Sequence, residues 1–257
     1  MTFSLKDFIV FITGASSGIG EACTKAFAAE GSRLILAARR IERLKKLADS
    51  LQNQYNTRSL IFQLDVRNYN AVKHTIASLP EEWREIDILI NNAGLALGIE
   101  KIQDGLLENW ETMIDTNVKG LLYVTKEVLP VMLKRNRGHI INIASIAGIQ
   151  VYPGGNVYCA SKSAVRALTE GMIVDLVNTP IRVTAVSPGM VETEFSLVRF
   201  KGDSERAKQV YKGIKSLTGD DVANAIVYCT KLPPHVNINE LVITATNQAN
   251  VYVIHKT

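Results

Sequence analysis

Short runs of aliphatic and β-branched residues alternate along the chain with longer segments whose apolar positions recur every three or four residues. The short runs at 8–13, 33–38, 59–64, 86–91, 139–144, 181–186 and 240–244 read as strands. Their near-continuous apolar character implies burial on both faces, as in a parallel sheet. The longer segments at 19–31, 40–55, 68–79, 105–135, 156–178 and 219–231 carry helical periodicity. In 40–55, Leu44, Leu47, Ala48 and Leu51 share one face and charges occupy the other, as a sheet-covering helix requires. This strand–helix alternation runs without a Pro/Gly/Ser-rich linker. It predicts one α/β domain over 1–257, a doubly wound, Rossmann-type parallel sheet with helices on both faces. The segment 195–216 breaks the rhythm. Charged and weakly apolar, it reads as an inserted substrate lid.

Composition narrows the function classes. With 47% hydrophobic and 21% charged residues among 257, the chain has the makeup of a soluble globular protein. A net charge of +4, spread without a basic stripe, argues against nucleic acid as a partner. The apolar runs are too short to span a bilayer, and the first residues lack the basic start and apolar stretch of a leader. Cys23, Cys159 and Cys229 lie far apart without metal-ligand spacing, so no metal site is expected. Their odd number predicts reduced thiols and a cytoplasmic setting.

The first strand runs into Thr13-Gly14-Ala15-Ser16-Ser17-Gly18-Ile19-Gly20, which opens the first helix. Glycines in such a turn let the backbone approach a pyrophosphate, and the helix start offers unpaired N–H groups. A plain strand-to-helix turn of small residues is the alternative; the strand and amphipathic helix around it favour the dinucleotide. The second strand ends at Ala38-Arg39-Arg40. An NAD enzyme carries an acid there for the ribose 2′-hydroxyl, whereas arginine matches a 2′-phosphate. Arg39 and Arg40 therefore point to NADP, although Arg40 could simply start a solvated helix.

Farther along, Tyr158 and Lys162 stand at i and i+4 on one helical face. A free tyrosine titrates near pH ~10, and a cation one turn away favours its charged form. That suits an acid/base serving an alcohol or carbonyl. Ser145, at the end of the fifth strand, can donate to the same oxygen. Alone, a Tyr–Lys pair at this spacing decides little, because many surface helices carry one.

Together these motifs resemble the short-chain dehydrogenase/reductase family over nearly the whole chain. The likeness lies in Thr13 to Gly20, Asp65-Val66, Asn91-Asn92-Ala93-Gly94, Asn117, Ser145, Tyr158-x-x-x-Lys162 and Pro188-Gly189. It implies seven parallel strands and Tyr158 as proton donor and acceptor. Lys162 would bind the nicotinamide ribose while lowering the tyrosine pKa, Ser145 orient the carbonyl, and Asn117 hold a water in a proton relay to Lys162. Asp65 with Val66 would meet the adenine, Asn92 with Ala93 and Gly94 line the cofactor cleft, and Pro188, Gly189, Val191 and Thr193 surround the carboxamide. Bland alternatives stand beside these roles: Asn91 and Asn92 as strand-end hydrogen bonders, Asp65 as a helix cap, Pro188-Gly189 as turn punctuation. The resemblance also implies a homo-oligomer, tetramer or dimer, with the Tyr158 helix at an interface.

Within the family, Asn237-Ile-Asn-Glu-Leu241 and the tail from Thr246 resemble NADP-dependent 3-hydroxy acid dehydrogenases, which oxidise serine and allo-threonine. A carboxylate substrate needs a cation or N–H donors near the nicotinamide; Arg199, Lys201 and Arg206 in the flap are candidates, with a merely solvated charged lid the competing account. Two rival functions stay open here. One is a carbonyl reductase with an apolar pocket from Ile146, Val151, Tyr152, Met190 and Phe195; the other is a non-catalytic NADP(H)-binding sensor.

Overall fold

The computed structural model describes residues 3–256. Seven strands form one parallel sheet: β1 (Ile9–Thr13), β2 (Arg33–Ala38), β3 (Ser59–Gln63), β4 (Ile88–Asn91), β5 (Gly138–Ile143), β6 (Ile181–Pro188) and β7 (Glu240–Ile243). Their spatial order is β3-β2-β1-β4-β5-β6-β7. Every pairing is parallel, with Ile12 beside Leu36 on one flank and Ile90 on the other. The expected strands are all present. The interior ones are buried on both faces, whereas the outermost, β3 and β7, are only half-buried because each has one open edge.

Alternation along each strand divides the core into two layers. Val10, Ile12, Leu34, Leu36, Ile88 and Ile90 face one side, packing against α1 (Gly18–Ala29), α2 (Ile41–Tyr55) and α9 (Gly219–Thr230) through Phe27, Leu44, Leu51 and Ile226. Ile9, Phe11, Ile35, Leu89 and Ile140 face the other, meeting α3 (Tyr69–Ala77) and α5 (Gly120–Arg135) through Val72, Val124, Val128 and Met132. Leu44, Leu47 and Leu51 are the buried positions of α2, as its pattern requires. The strand order reverses between β1 and β4, and in such sheets a crevice for ligands opens above that switch point.

Two expectations change. The helix read over 105–135 is divided into α4 (Leu107–Ile114), a π turn (Asp115–Lys119) and α5. The buried Asn117 amide imposes the break: it donates to the Leu95 carbonyl at 2.8 Å and accepts from the Leu95 N–H at 2.8 Å, tying this turn to the loop after β4. The flap over 195–216 contains two short helices, α7 (Phe195–Arg199) and α8 (Ser204–Tyr211), the second capped by the Asp203 carboxylate on the Arg206 N–H. It is also bonded to the body. Ser196 Oγ donates to Tyr211 Oη at 2.8 Å, and Tyr211 donates to the Val191 carbonyl at 3.0 Å. Cys23, Cys159 and Cys229 are buried free thiols.

Candidate active site

The cleft above the β1/β4 switch point is lined by three layers of residues. Its floor is the glycine turn, its walls are the ends of β2, β4, β5 and β6, and its far rim is the start of the flap. In the turn, Gly14 and Gly18 have φ of 65° and 56°, which a side chain disfavours. A Cβ on Gly20 would collide with the Gly14 carbonyl and the Asn92 amide, so helix α1 and strand β4 approach as closely as glycine allows. Ser17 is the residue before α1, yet its hydroxyl does not cap the helix. It accepts from Arg40 instead, at 2.7 Å. The first N–H groups of α1 are thereby left for an anion, which fits a dinucleotide pyrophosphate.

Asn92 combines two of its readings. Its amide donates to the Thr13 carbonyl at 2.9 Å, bracing the strand end, while the residue also lines the cleft with Ala93 and Gly94. Asn91 points elsewhere, donating to Thr125 and Asn142 inside the core. Asp65 lines the cleft beside Val66 but does not cap α3; Asn68 does that. The Arg67 guanidinium, donating to both Asp65 oxygens, holds the carboxyl below its ordinary range. Arg39 and Arg40 both line the cleft. Arg40 does more than start a solvated helix, since it bonds Ser17 and Glu194 across the opening.

Tyr158 and Lys162 lie on α6 (Asn156–Asp175), and both are buried. Lys162 Nζ donates to the Ile143 carbonyl at 2.8 Å, and burial pushes its ammonium down to about 8. Gly94 leaves room for this group: a Cβ there would lie 3.4 Å from Lys162 Nζ and 3.2 Å from Asn117 Oδ1. Asn117 also donates to Ser161 Oγ at 2.9 Å. Ser145, at the tip of β5, has its hydroxyl fixed between the Ala147 N–H and the Pro188 carbonyl. Burial, first, and the neighbouring Tyr152 push the Tyr158 phenol above its ordinary value, while Arg199 and Ser145 pull it down. The phenol is therefore protonated at neutral pH.

Arg199, from α7, is packed among aromatic rings. Its guanidinium carbon lies 5.1 Å from the Tyr158 ring centre, 5.2 Å from Phe195 and 5.7 Å from Tyr152, with Nη2 donating to Tyr152 Oη at 2.5 Å. Its Nε is buried without a hydrogen-bond acceptor among the described residues. Lys201 pairs with Glu108 and Arg206 stacks on Phe200, so neither stands at this place. Of the five residues expected in an apolar pocket, Phe195 lines the cleft; Val151 is exposed, and Tyr152 stands behind Arg199.

Glu194 and Gln248 carry no signal in the sequence, because their partners are far away along the chain. Glu194 Oε2 and Oε1 accept from Arg40 at 2.8 Å and Arg43 at 2.7 Å. Gln248, nearly fully buried in the tail, accepts from the Met190 N–H at 2.8 Å and fills the space beside Gly189. Pro188, Gly189, Val191 and Thr193 all line the cleft, and Thr193 lies against Gly18.

A family model described as short chain dehydrogenase matches residues 8–203. The chain is 51% identical over 243 residues to the NADP-dependent 3-hydroxy acid dehydrogenase YdfG of Escherichia coli (strain K12), covering 94% of this chain and 96% of that protein. It is 47% identical over 242 residues to sulfoacetaldehyde reductase 2 of Chromohalobacter salexigens, covering 94% and 95%. Among solved structures it is similar to the closed form of serine dehydrogenase complexed with NADP+, with a TM-score of 0.91 and 48% identity over 97% of this chain and 100% of that one.

Proposed function

The chain belongs to the short chain dehydrogenase family, and on that premise we propose that it is an NADP(H)-dependent oxidoreductase interconverting a small 3-hydroxy acid and its 3-oxo counterpart. When bound, the nicotinamide supplies or takes up the hydride. The chain's residues bind, orient and move the proton. Gly14 to Gly20 cradle the pyrophosphate, Arg39 and Arg40 with Ser16 and Ser17 take the 2′-phosphate, and Asp65, Val66, Asn92, Ala93 and Gly94 form the adenosine side of the cleft. Pro188, Gly189, Val191 and Thr193 hold the carboxamide end. Tyr158 gives its phenolic proton to the forming alkoxide in reduction and takes it back in oxidation. Ser145 donates to the same oxygen, where negative charge develops. Buried Lys162, one helical turn from Tyr158, would hold the ribose, and Asn117 would hold the water of a proton relay to it.

The observation that carries the substrate class is Arg199. A half-buried guanidinium, held by three rings beside the acid/base and with Nε unpaired, suits an anionic group on the substrate. NADPH oxidation with 3-oxo acids, and NADP+ reduction with serine and 3-hydroxybutyrate, should exceed turnover of size-matched neutral compounds by roughly tenfold or more in kcat/KM. Sulfoacetaldehyde belongs in the same panel, since a sulfonate matches the guanidinium as a carboxylate does. Turnover confined to neutral carbonyls sinks the assignment.

The flap over 195–216 acts in this reading as the lid, because it delivers Phe195 and Val198 to the cleft and packs Arg199 against the Tyr158 ring. Protease cutting within it should fall when NADP+ and a hydroxy acid are added together. Unchanged cutting would count against a lid.

A further inference from the structure

Glu194 immediately precedes the lid and lines the cleft. Its carboxylate is held by Arg40 Nη1 at 2.8 Å and Arg43 Nη1 at 2.7 Å, both projecting from the start of α2. Arg40 also donates to Ser17 Oγ at 2.7 Å and, through Nε, to Ser16 Oγ at 3.4 Å. These two arginines and two serines form, together with Arg39, a cluster at the tip of β2 able to surround a phosphate. Arg39 itself makes no side-chain hydrogen bond or ion pair among the described residues. The protein's own carboxylate thus occupies the donors of an exchangeable anion site. All three acid–arginine partners are at least one-third exposed, so another anion can reach and replace the carboxylate. Beside it, Thr193 packs against Gly18, so the segment leading into the lid roofs the phosphate turn.

We infer that Glu194 is a specificity-determining residue: an internal anion on Arg40 and Arg43 that a coenzyme's 2′-phosphate displaces and a 2′-hydroxyl does not. The inference rests on the proposed use of NADP(H) and adds to it. A phosphate carries more charge and more acceptor oxygens than one carboxylate, so it wins the arginines by exchange. A neutral ribose hydroxyl leaves the acid in place. Glu194 therefore costs the phosphorylated coenzyme part of its binding, and leaves the unphosphorylated one almost unaffected.

Fluorescence titration of NADPH and NADH into the wild-type chain and Glu194→Gln tests this. Glutamine keeps the size of the side chain and removes the competing charge. The expected result is NADPH binding roughly threefold to tenfold tighter in the variant, the scale of an exposed ion pair, with NADH changed less than about twofold. If the wild type binds both coenzymes alike, the NADP(H) reading and this inference fall together. If the wild type prefers NADPH but the variant's two affinities stay unchanged or move in parallel, the inference alone falls. Weaker NADPH binding in the variant also overturns it, since Glu194 would then be positioning Arg40 for the phosphate. A melting temperature within a few degrees of wild type, expected for a substitution at this exposed site, shows that the comparison is between folded proteins.

Discussion

Tyr158→Phe should lower turnover in both directions by about two to four orders of magnitude while NADPH binds nearly as before. The substitution removes one oxygen from a buried ring and keeps the packing against Phe195, whose centroid lies 5.5 Å away. In the proposed reading the phenol faces the substrate, whereas the coenzyme phosphates are held by the glycine turn and the arginines, which also line the cleft. A forming alkoxide would lose its proton donor and keep only the hydrogen bond from Ser145. Stopped-flow measurement of NADPH consumption, with coenzyme affinity from fluorescence, separates the two effects. Turnover within a fewfold of wild type would remove Tyr158 from the chemistry; a parallel loss of NADPH affinity would make its role structural.

The sequence disclosed most of this frame because the relevant forces are local or periodic. A strand buried on both faces must be almost wholly apolar, so β1, β2, β4 and β5 can be read directly. Tyr158 and Lys162 share a face because a helix places them there, and the glycine turn lies between two elements that were themselves legible. What escaped is set by contacts between distant segments. The π turn at Asp115–Lys119 follows from Asn117 bonding Leu95, and nothing in its own residues departs from helical periodicity. The two flap helices are short and bury little apolar surface of their own, with Ser196 and Ala207 as their buried residues. Glu194 meets Arg40 across 154 positions, and Gln248 meets Met190 across 58. Among the flap cations, composition treated Arg199, Lys201 and Arg206 alike. Only the packing distinguishes the one against Tyr158 from Lys201, paired with Glu108, and Arg206, stacked on Phe200.

Arg199→Leu should separate two effects that this single side chain combines. The first depends on substrate. If the guanidinium receives the substrate's anionic group, kcat/KM for hydroxy acids should fall on the order of a hundredfold, mainly through KM, while neutral ketones change little at their optimum pH. Arg199→Lys should recover part of the loss, because it returns the charge without the paired donors. The second effect is independent of substrate. Burial and Tyr152 raise the Tyr158 phenol, and Arg199 is among the groups that counter this. Removing the cation lets the phenol rise further. Oxidation uses the deprotonated phenol, so its rising limb should move to higher pH; reduction uses the protonated phenol, so its plateau should extend to higher pH. Both shifts should occur with anionic and neutral substrates alike. An equal loss on both substrate classes, with unmoved pH limbs, would reduce Arg199 to a packing residue of the lid. A shift in the limbs without substrate discrimination would leave it tuning Tyr158 but not reading the substrate, and the carboxylate would then have to be bound by a different donor.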